Sequence, residues 1–356
     1  MSERVPSNPL LALAALVVVA AGIKAAEQVM VPFLLAAFIA TIAATPVFWL
    51  QRRRLPVGLA ITVVVLGLIA VLIGFGAIVA ESADAFRARL PFYQERAIAL
   101  LEPTLAFLGG LGIELSPELL DPGRALGFAG EALGSLGSVL TNSFFILLAV
   151  VFILTEAWSF PRKLGTVLSH PERDLPHFKR FAEKLNRYFA IKTTVSVATG
   201  VFVGLALWLL GVDFPILWGL LAFLLNYVPN IGSVIAAIPP VLLAIMQLGP
   251  ISALATAGVF LVVNVVMGSV VEPKFMGREL GLSTLVVFLS LVFWGWMLGP
   301  VGMLLSVPLT MTVKIAMEAN PSTNWIAHLL DPADARPGTA DDDEEPDDDG
   351  QAGSDP

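Results

Sequence analysis

Between residues 192 and 318 the chain carries one pattern twice. An unbroken apolar run, 192–211, is followed by an apolar stretch, 214–247, interrupted at Pro229-Asn230-Ile231-Gly232. A second run, 250–272, is followed by a second interrupted stretch, 282–318, broken at Gly299-Pro300-Val301-Gly302. Each break is trailed by another proline, Pro239 or Pro308, and preceded by tryptophan, at Trp218 or at Trp294 and Trp296. Proline removes a backbone donor and glycine frees the backbone, so each break leaves N–H and C=O groups without helical partners. At membrane depth such groups persist only inside protein or along a wet cavity. Paired interruptions in corresponding halves are the sequence pattern of a secondary transporter core.

Composition supplies the membrane. The 356 residues are 56% hydrophobic and only 14% charged, too little polar surface for a soluble domain, which carries about 25% charge. There is no Cys, which excludes a disulfide framework and a thiolate site. The net charge of −8 is localised: the last 26 residues hold eleven acids against Arg336, so the remainder is +2. That tail, without apolar periodicity, reads as a disordered polyanion.

Full spans are expected at 9–25, 28–50, 57–80, 137–158, 192–211 and 250–272, each near the 20 residues a bilayer core needs. Arg4 before a short apolar run suits a signal peptide, but a second apolar segment follows at once and favours an uncleaved pair of spans. Arg52-Arg53-Arg54 and the basic segment 159–192 place those loops in the cytoplasm, and the acid-rich segment 81–136 outside. Both termini are then cytoplasmic. Pro91, Pro103, Pro117 and Pro122 divide 81–136 into short helices, whose apolar stripe Phe86, Leu90 and Tyr93 suits an amphipathic cap on the outer surface. Residues 172–190, with Phe178, Phe181, Leu185 and Phe189 on one stripe, suit a helix along the inner leaflet.

Divided at its break, each interrupted stretch gives arms of roughly 15 residues, about 22 Å, short of a ~30 Å core. Re-entrant hairpins are therefore expected. The two units begin on opposite sides of the membrane, which makes an inverted pair suited to alternating access.

Charges inside apolar segments are costly, so Glu272, at the end of the 250–272 run, is the leading functional candidate, with an ion pair to Lys274 or Arg278 as the structural alternative. Asn264 and Gly268 lie on the same helical face as Glu272, where close packing or a solute path is expected. Asn226, Asn230 and Ser233 surround the first break and offer amide and hydroxyl groups to a polyhydroxylated solute or a partly dehydrated ion. Pro229, Gly232, Gly299, Pro300 and Gly302 shape the tips. Lys24 and Glu27 fall at the turn between the first two spans, Asp213 in an outer loop, and Glu156 at the inner end of the fourth span. No Gly-rich phosphate loop or His-Glu-x-x-His occurs, and His170, His177 and His328 all lie outside the spans. No cofactor, metal, nucleic acid or enzymatic chemistry is expected.

The stretches Asn226-Tyr227-Val228-Pro229-Asn230-Ile231-Gly232-Ser233 through Pro239, Val271-Glu272-Pro273-Lys274-Phe275-Met276-Gly277, and Trp294-Gly295-Trp296 through Val307-Pro308 resemble the hallmarks of the autoinducer-2 exporter-like (AI-2E, PerM-like) family. The resemblance covers roughly residues 10–320. Asn230 departs from the family's usual small residue. Some members export autoinducer-2 and others resemble sodium or lithium/proton antiporters. The resemblance implies a homo-oligomer, a pentamer. Pro239, Gly268, Pro273, Gly277 and Pro308 are expected as hinge and packing positions. The expected protein is an all-α polytopic transporter of a prokaryotic cytoplasmic membrane, with six spans and two broken hairpins. Its parts are 1–80, the first three spans; 81–136, the cap; 137–191, the fourth span and basic segment; 192–318, the transport core; and 319–356, the tail. Its partners are the bilayer and a small solute or ion.

Overall fold

A computed structural model describes residues 9–110, 143–167, 171–229, 231–276, 282–318 and 323–331, and the described residues form helices and no strands. They are α1 (Pro9–Ala25), α2 (Glu27–Arg52), α3 (Val57–Gly110), α4 (Ser143–Val167), α5 (Pro171–Leu210), α6 (Pro215–Leu225) and α7 (Ile231–Leu248). After these come α8 (Pro250–Asn264), a π-helical segment (Val265–Val271), α9 (Glu272–Met276), α10 (Thr284–Leu304), α11 (Ser306–Glu318) and the short α12 (Asn324–Leu329).

Among the described residues six helices are long and apolar enough to cross a membrane: Glu27–Arg52, Val57–Leu100, Ala182–Leu210, Ile231–Leu248, Pro250–Phe275 and Thr284–Leu304. Four overlap the expected spans. The other two are Ile231–Leu248, the returning arm of the first interrupted stretch, and Thr284–Leu304, which runs through the second break and is kinked at Gly299, while α1 has 17 residues and the apolar part of α4 runs only Ser143–Ala157. The arms are also unequal: α6 has 11 residues and α7 has 18, about 16 and 27 Å, rather than two arms of about 15 residues.

Three apolar clusters hold the bundle. Ala36, Ala40, Ala43 and Val47 form a small-residue stripe on α2, against which Ala60, Ile61 and Val64 of α3 and Ile146, Val150 and Leu154 of α4 pack. Phe86, Tyr93 and Ala97 of α3 join Val203 and Leu207 of α5, Trp218 of α6, Leu243 of α7 and Phe260 of α8. The third cluster brings Phe38 of α2 together with Tyr188 and Phe189 of α5, Tyr227, Leu305 and Met311, so α2 touches both interrupted stretches.

Two expectations are corrected here. The helix that begins at Val57 does not stop near 80 but continues through Pro91 and Pro103 to Gly110. Its Phe86–Tyr93–Ala97 stripe is buried against α5, α6 and α7 rather than lying on a membrane surface, and that burial outweighs the hydrogen bond Pro91 forfeits. Residues 111–136 lie outside the described residues. Likewise 172–190 is not a separate surface helix. It is the first half of α5, with Leu185 and Phe189 turned into the cluster around Phe38.

α5 and α6 cross backbone to backbone. A Cβ on Gly200 would meet the Gly219 carbonyl oxygen at 2.7 Å, and one on Gly219 would meet the Gly200 carbonyl oxygen at 2.7 Å and Gly204 Cα at 3.2 Å. Only glycine fits there, and the Gly200-x-x-x-Gly204 spacing is the ordinary device for such an approach in membranes.

Candidate functional site

The first break follows from Pro229. In an α-helix the Leu225 carbonyl would accept from residue 229, which has no N–H. The chain shortens its turn instead, and Val228 N–H donates to Leu225 O at 2.9 Å. Gly232 then folds back so tightly that a Cβ would stand 1.9 Å from that same oxygen. The turn aims its polar side chains at α5. Asn226 Nδ2 donates to Ser196 Oγ at 2.9 Å, and Tyr227 O–H donates to Thr193 Oγ1 at 2.8 Å. Tyr227 also packs edge-on to Phe38, which stands about 16 Å along α2 from Glu27.

Beside this turn lies a narrow cleft lined by Thr199 and Val203 of α5, Ala222 and Asn226, Ser233 and Ala236 of α7, and Phe260, Val263 and Asn264 of α8. Its free volume of about 10 Å³ is roughly what one water molecule needs. The polar lining is neutral: two amides and two hydroxyls. Thr199 is 6% exposed, and its Oγ1 has no hydrogen-bond partner among the described residues. A buried hydroxyl without a partner carries a desolvation cost of about 1–3 kcal/mol, which an occupant of the cleft would relieve.

From the cleft a polar seam runs between α5 and the α8–π–α9 rod. On α5, Thr199, Ser196 and Lys192 follow at helical spacing; on the other side stand Asn264, Gly268 and Glu272. The seam ends in an ion pair, Lys192 Nζ to Glu272 Oε1 at 2.7 Å, with the lysine side chain 5% and the glutamate 20% exposed. The expected partners are therefore corrected: Lys274 is exposed, Arg278 lies outside the described residues, and Glu272 is held by a lysine 80 positions earlier. The Glu272 N–H bonds to Met267 O, five residues back, which closes the π segment.

The second break is built on the same plan. Pro300 deprives the Trp296 carbonyl of its helical donor, and Gly299 takes φ 64°, ψ −152°. Here the repair comes from elsewhere: Lys24 Nζ donates to Trp296 O at 2.9 Å and to Glu27 Oε2 at 2.7 Å. Glu27 Oε1 would lie 3.4 Å from a Cβ on Gly299. A Cβ on Gly302 would meet the Trp294 carbonyl oxygen at 1.9 Å, and one on Gly295 would meet Met303 Cγ at 2.7 Å. Trp294 Nε1 donates to Thr310 Oγ1 at 3.0 Å across the turn.

The far ends of both returning arms are tethered. Gln247 on α7 accepts from Asp213 N–H and donates to Gly211 O, both at 3.0 Å. The Asp213 carboxylate receives Arg89 and Tyr93 of α3. Lys314 on α11 pairs with Asp331, which follows α12, and with Glu318. Glu156 pairs with Lys163.

Of the residues singled out from sequence, the structure gathers Asn226, Ser233 and Asn264 around one cleft and puts Glu272 at the end of its seam. Pro239 and Pro308 are buried in the returning arms, Pro273 is exposed, and a Cβ on Gly268 would lie 3.6 Å from Asn264 Oδ1. Asn230 and Gly277 lie outside the described residues. Lys192, Ser196 and Thr199 were missed, although their spacing on an otherwise apolar span was a readable signal.

Residues 13–322 match a family model described as AI-2E family transporter. The chain is 39% identical to the AI-2 transport protein TqsA of Escherichia coli K12 over 89% of this chain and 94% of that protein. It is 40% identical to the protein named "Putative transport protein YhhT" of the same organism, over 91% and 94%. A Haemophilus influenzae protein named "Putative transport protein" is 40% identical over 90% of this chain and 95% of that protein.

Proposed function

The chain belongs to the AI-2E transporter family, and on that premise we propose that it is a secondary transporter moving a small, uncharged polar solute through the cleft at the first break. The observation that carries this is the neutral lining of Thr199, Asn226, Ser233 and Asn264 with its unpartnered Thr199 hydroxyl. Amides and hydroxyls without a net charge suit a polyhydroxylated molecule. The name of the relative TqsA makes autoinducer-2, or a molecule like it, the first solute to test. Export by alternating access is the proposed mode, with the two broken stretches acting as re-entrant hairpins of an inverted pair. The Arg52 end of α2 faces the cytoplasm in this reading, as do both termini. The large apolar side chains left exposed, such as Trp208, Ile251 and Leu254, face lipid or sister copies in a homo-oligomer.

The sodium or lithium/proton exchange that the family resemblance raised is less well served, because the carboxylate it needs, Glu272, is already paired with Lys192. The test is autoinducer-2 uptake into inside-out vesicles and proteoliposomes by wild type and Asn226→Leu. We expect wild-type flux to be cut at least tenfold in the variant at similar yield. Equal flux in both would remove the cleft from the path. A proton signal driven by a sodium gradient, with no solute flux, would favour exchange.

A further inference from the structure

Packing does little to hold the π segment. None of its seven residues is buried. It is flanked by Asn264, which lines the cleft, and by Glu272, which pairs with Lys192. Its cause is local. In an α-helix the ring of Pro273 would press on the carbonyl of Ser269, and the wider π turn relieves that contact. A π segment holds one residue more than the α turn it replaces. Absorbing it therefore rotates everything beyond it by about 100° and shifts it by about 1.5 Å.

We propose that the π segment and the Lys192–Glu272 ion pair form a register switch, and that Lys192 is a positioning residue for transport. This rests on the transport reading above. In the state described, Glu272 clasps Lys192 and the extra residue is stored at 265–271. In the alternative state the segment relaxes to α-helix, Glu272 turns away, and the Lys192 ammonium is released along the seam toward Ser196 and the cleft. Asn264, at the first turn of the π segment, feels both the occupant of the cleft and the register of the segment. Occupancy of the cleft and closure of the ion pair are thereby linked. Because the stretch carries little packing, the two registers differ mainly by one ion pair and one strained turn, as a switch requires.

The absence of cysteine makes the test direct. Spin labels at Val197→Cys on α5 and Phe275→Cys on α9, both exposed side chains, report the distance between the two rods in full-length protein in lipid. Turning the label through 100° on a helix of about 10–12 Å diameter moves it by roughly 9 Å. We expect Pro273→Ala, and separately the double variant Lys192→Gln with Glu272→Gln, to shift the distance by about that much. The double variant should also keep wild-type yield and melting temperature but lose at least tenfold in autoinducer-2 flux. A distance unchanged in both variants overturns the switch, and so does wild-type flux in the double variant. Should wild type carry no autoinducer-2, the transport reading fails on its own, and the label distance still decides the switch because it does not depend on flux.

Discussion

Pro229 and Pro300 create the same defect, a carbonyl four residues back with no helical donor, and the chain repairs the two defects differently. At the first break the donor is local: Val228 N–H closes on Leu225 O. At the second it is the Lys24 ammonium, 272 positions away, steadied by Glu27. In both turns a glycine is pressed to 1.9 Å, in the sense of an added Cβ, from a carbonyl of the entering arm. The first turn, self-sufficient, is free to present Asn226 and Ser233 to a cleft. The second depends on α1 and α2 and is closed by them. Two breaks with the same defect thus serve differently, one offering a surface and the other forming a joint between parts.

The strongest way to break the comparison is to remove the shared element. Gly232→Val and Gly302→Val each drive a side chain into a carbonyl, an overlap costing more than the ~1–3 kcal/mol of ordinary overpacking. Both should bring flux to background while the protein still reaches the membrane; normal transport by either variant would mean the tips do not work. Next, Lys24→Met strips the borrowed donor from Trp296 O and should lower stability by about 1–2 kcal/mol. Thr193→Val at the first break removes only a hydroxyl partner of Tyr227 and should cost about 1 kcal/mol or less. Thermal melting in detergent ranks the two, and the reverse order would contradict the contrast between borrowed and local repair. Thr199→Val sharpens the functional half. It should raise stability by about 1 kcal/mol, since an unsatisfied hydroxyl is removed, yet reduce flux severalfold; a stabilised variant with full flux would show that the cleft is inert.

The smallest effect concerns the far tethers. Burial pushes the Asp331 carboxyl up, but its hydrogen bonds and charges with Lys314 and His328 outweigh this and hold it below the ordinary 3.8. A depressed carboxylate contributes stability that is complete above the unfolded value and is lost as pH falls through the folded one. The α11–α12 tether should therefore loosen only below about pH 4, while the neutral Gln247 tether of α7 stays indifferent. Fluorescence of Trp325 against pH follows the first, and Asp331→Asn should flatten the curve.

Much of this was readable in the residues. A proline or amide within a long apolar run stands out, so both breaks, Asn226, Asn264 and Glu272 were legible. The structure also keeps the apolar stripe Phe86–Leu90–Tyr93 but turns it inward, because what a stripe packs against is a tertiary fact. Lys192 was obscured by its neighbours: at the end of a basic segment it read as one more loop charge, and its partner lies 80 positions away. The π segment leaves no mark in hydrophobic periodicity. Gly200-x-x-x-Gly204 did leave one, but the spacing alone does not say that Gly219 is what it receives.

The glycine crossing has a mechanical consequence. α5 has 40 residues, about 60 Å of rod, and is clamped to α6 near Gly200. Ser196, which takes the Asn226 hydrogen bond, stands about 6 Å from that fulcrum, and Pro171 about 44 Å from it. The helix is a lever with an arm ratio of roughly seven. Were α5 to pivot there as a rigid rod, 1 Å at the Asn226–Ser196 hydrogen bond would become about 7 Å at the basic end, and the packing of Leu185, Tyr188 and Phe189 around Phe38 is what opposes that swing.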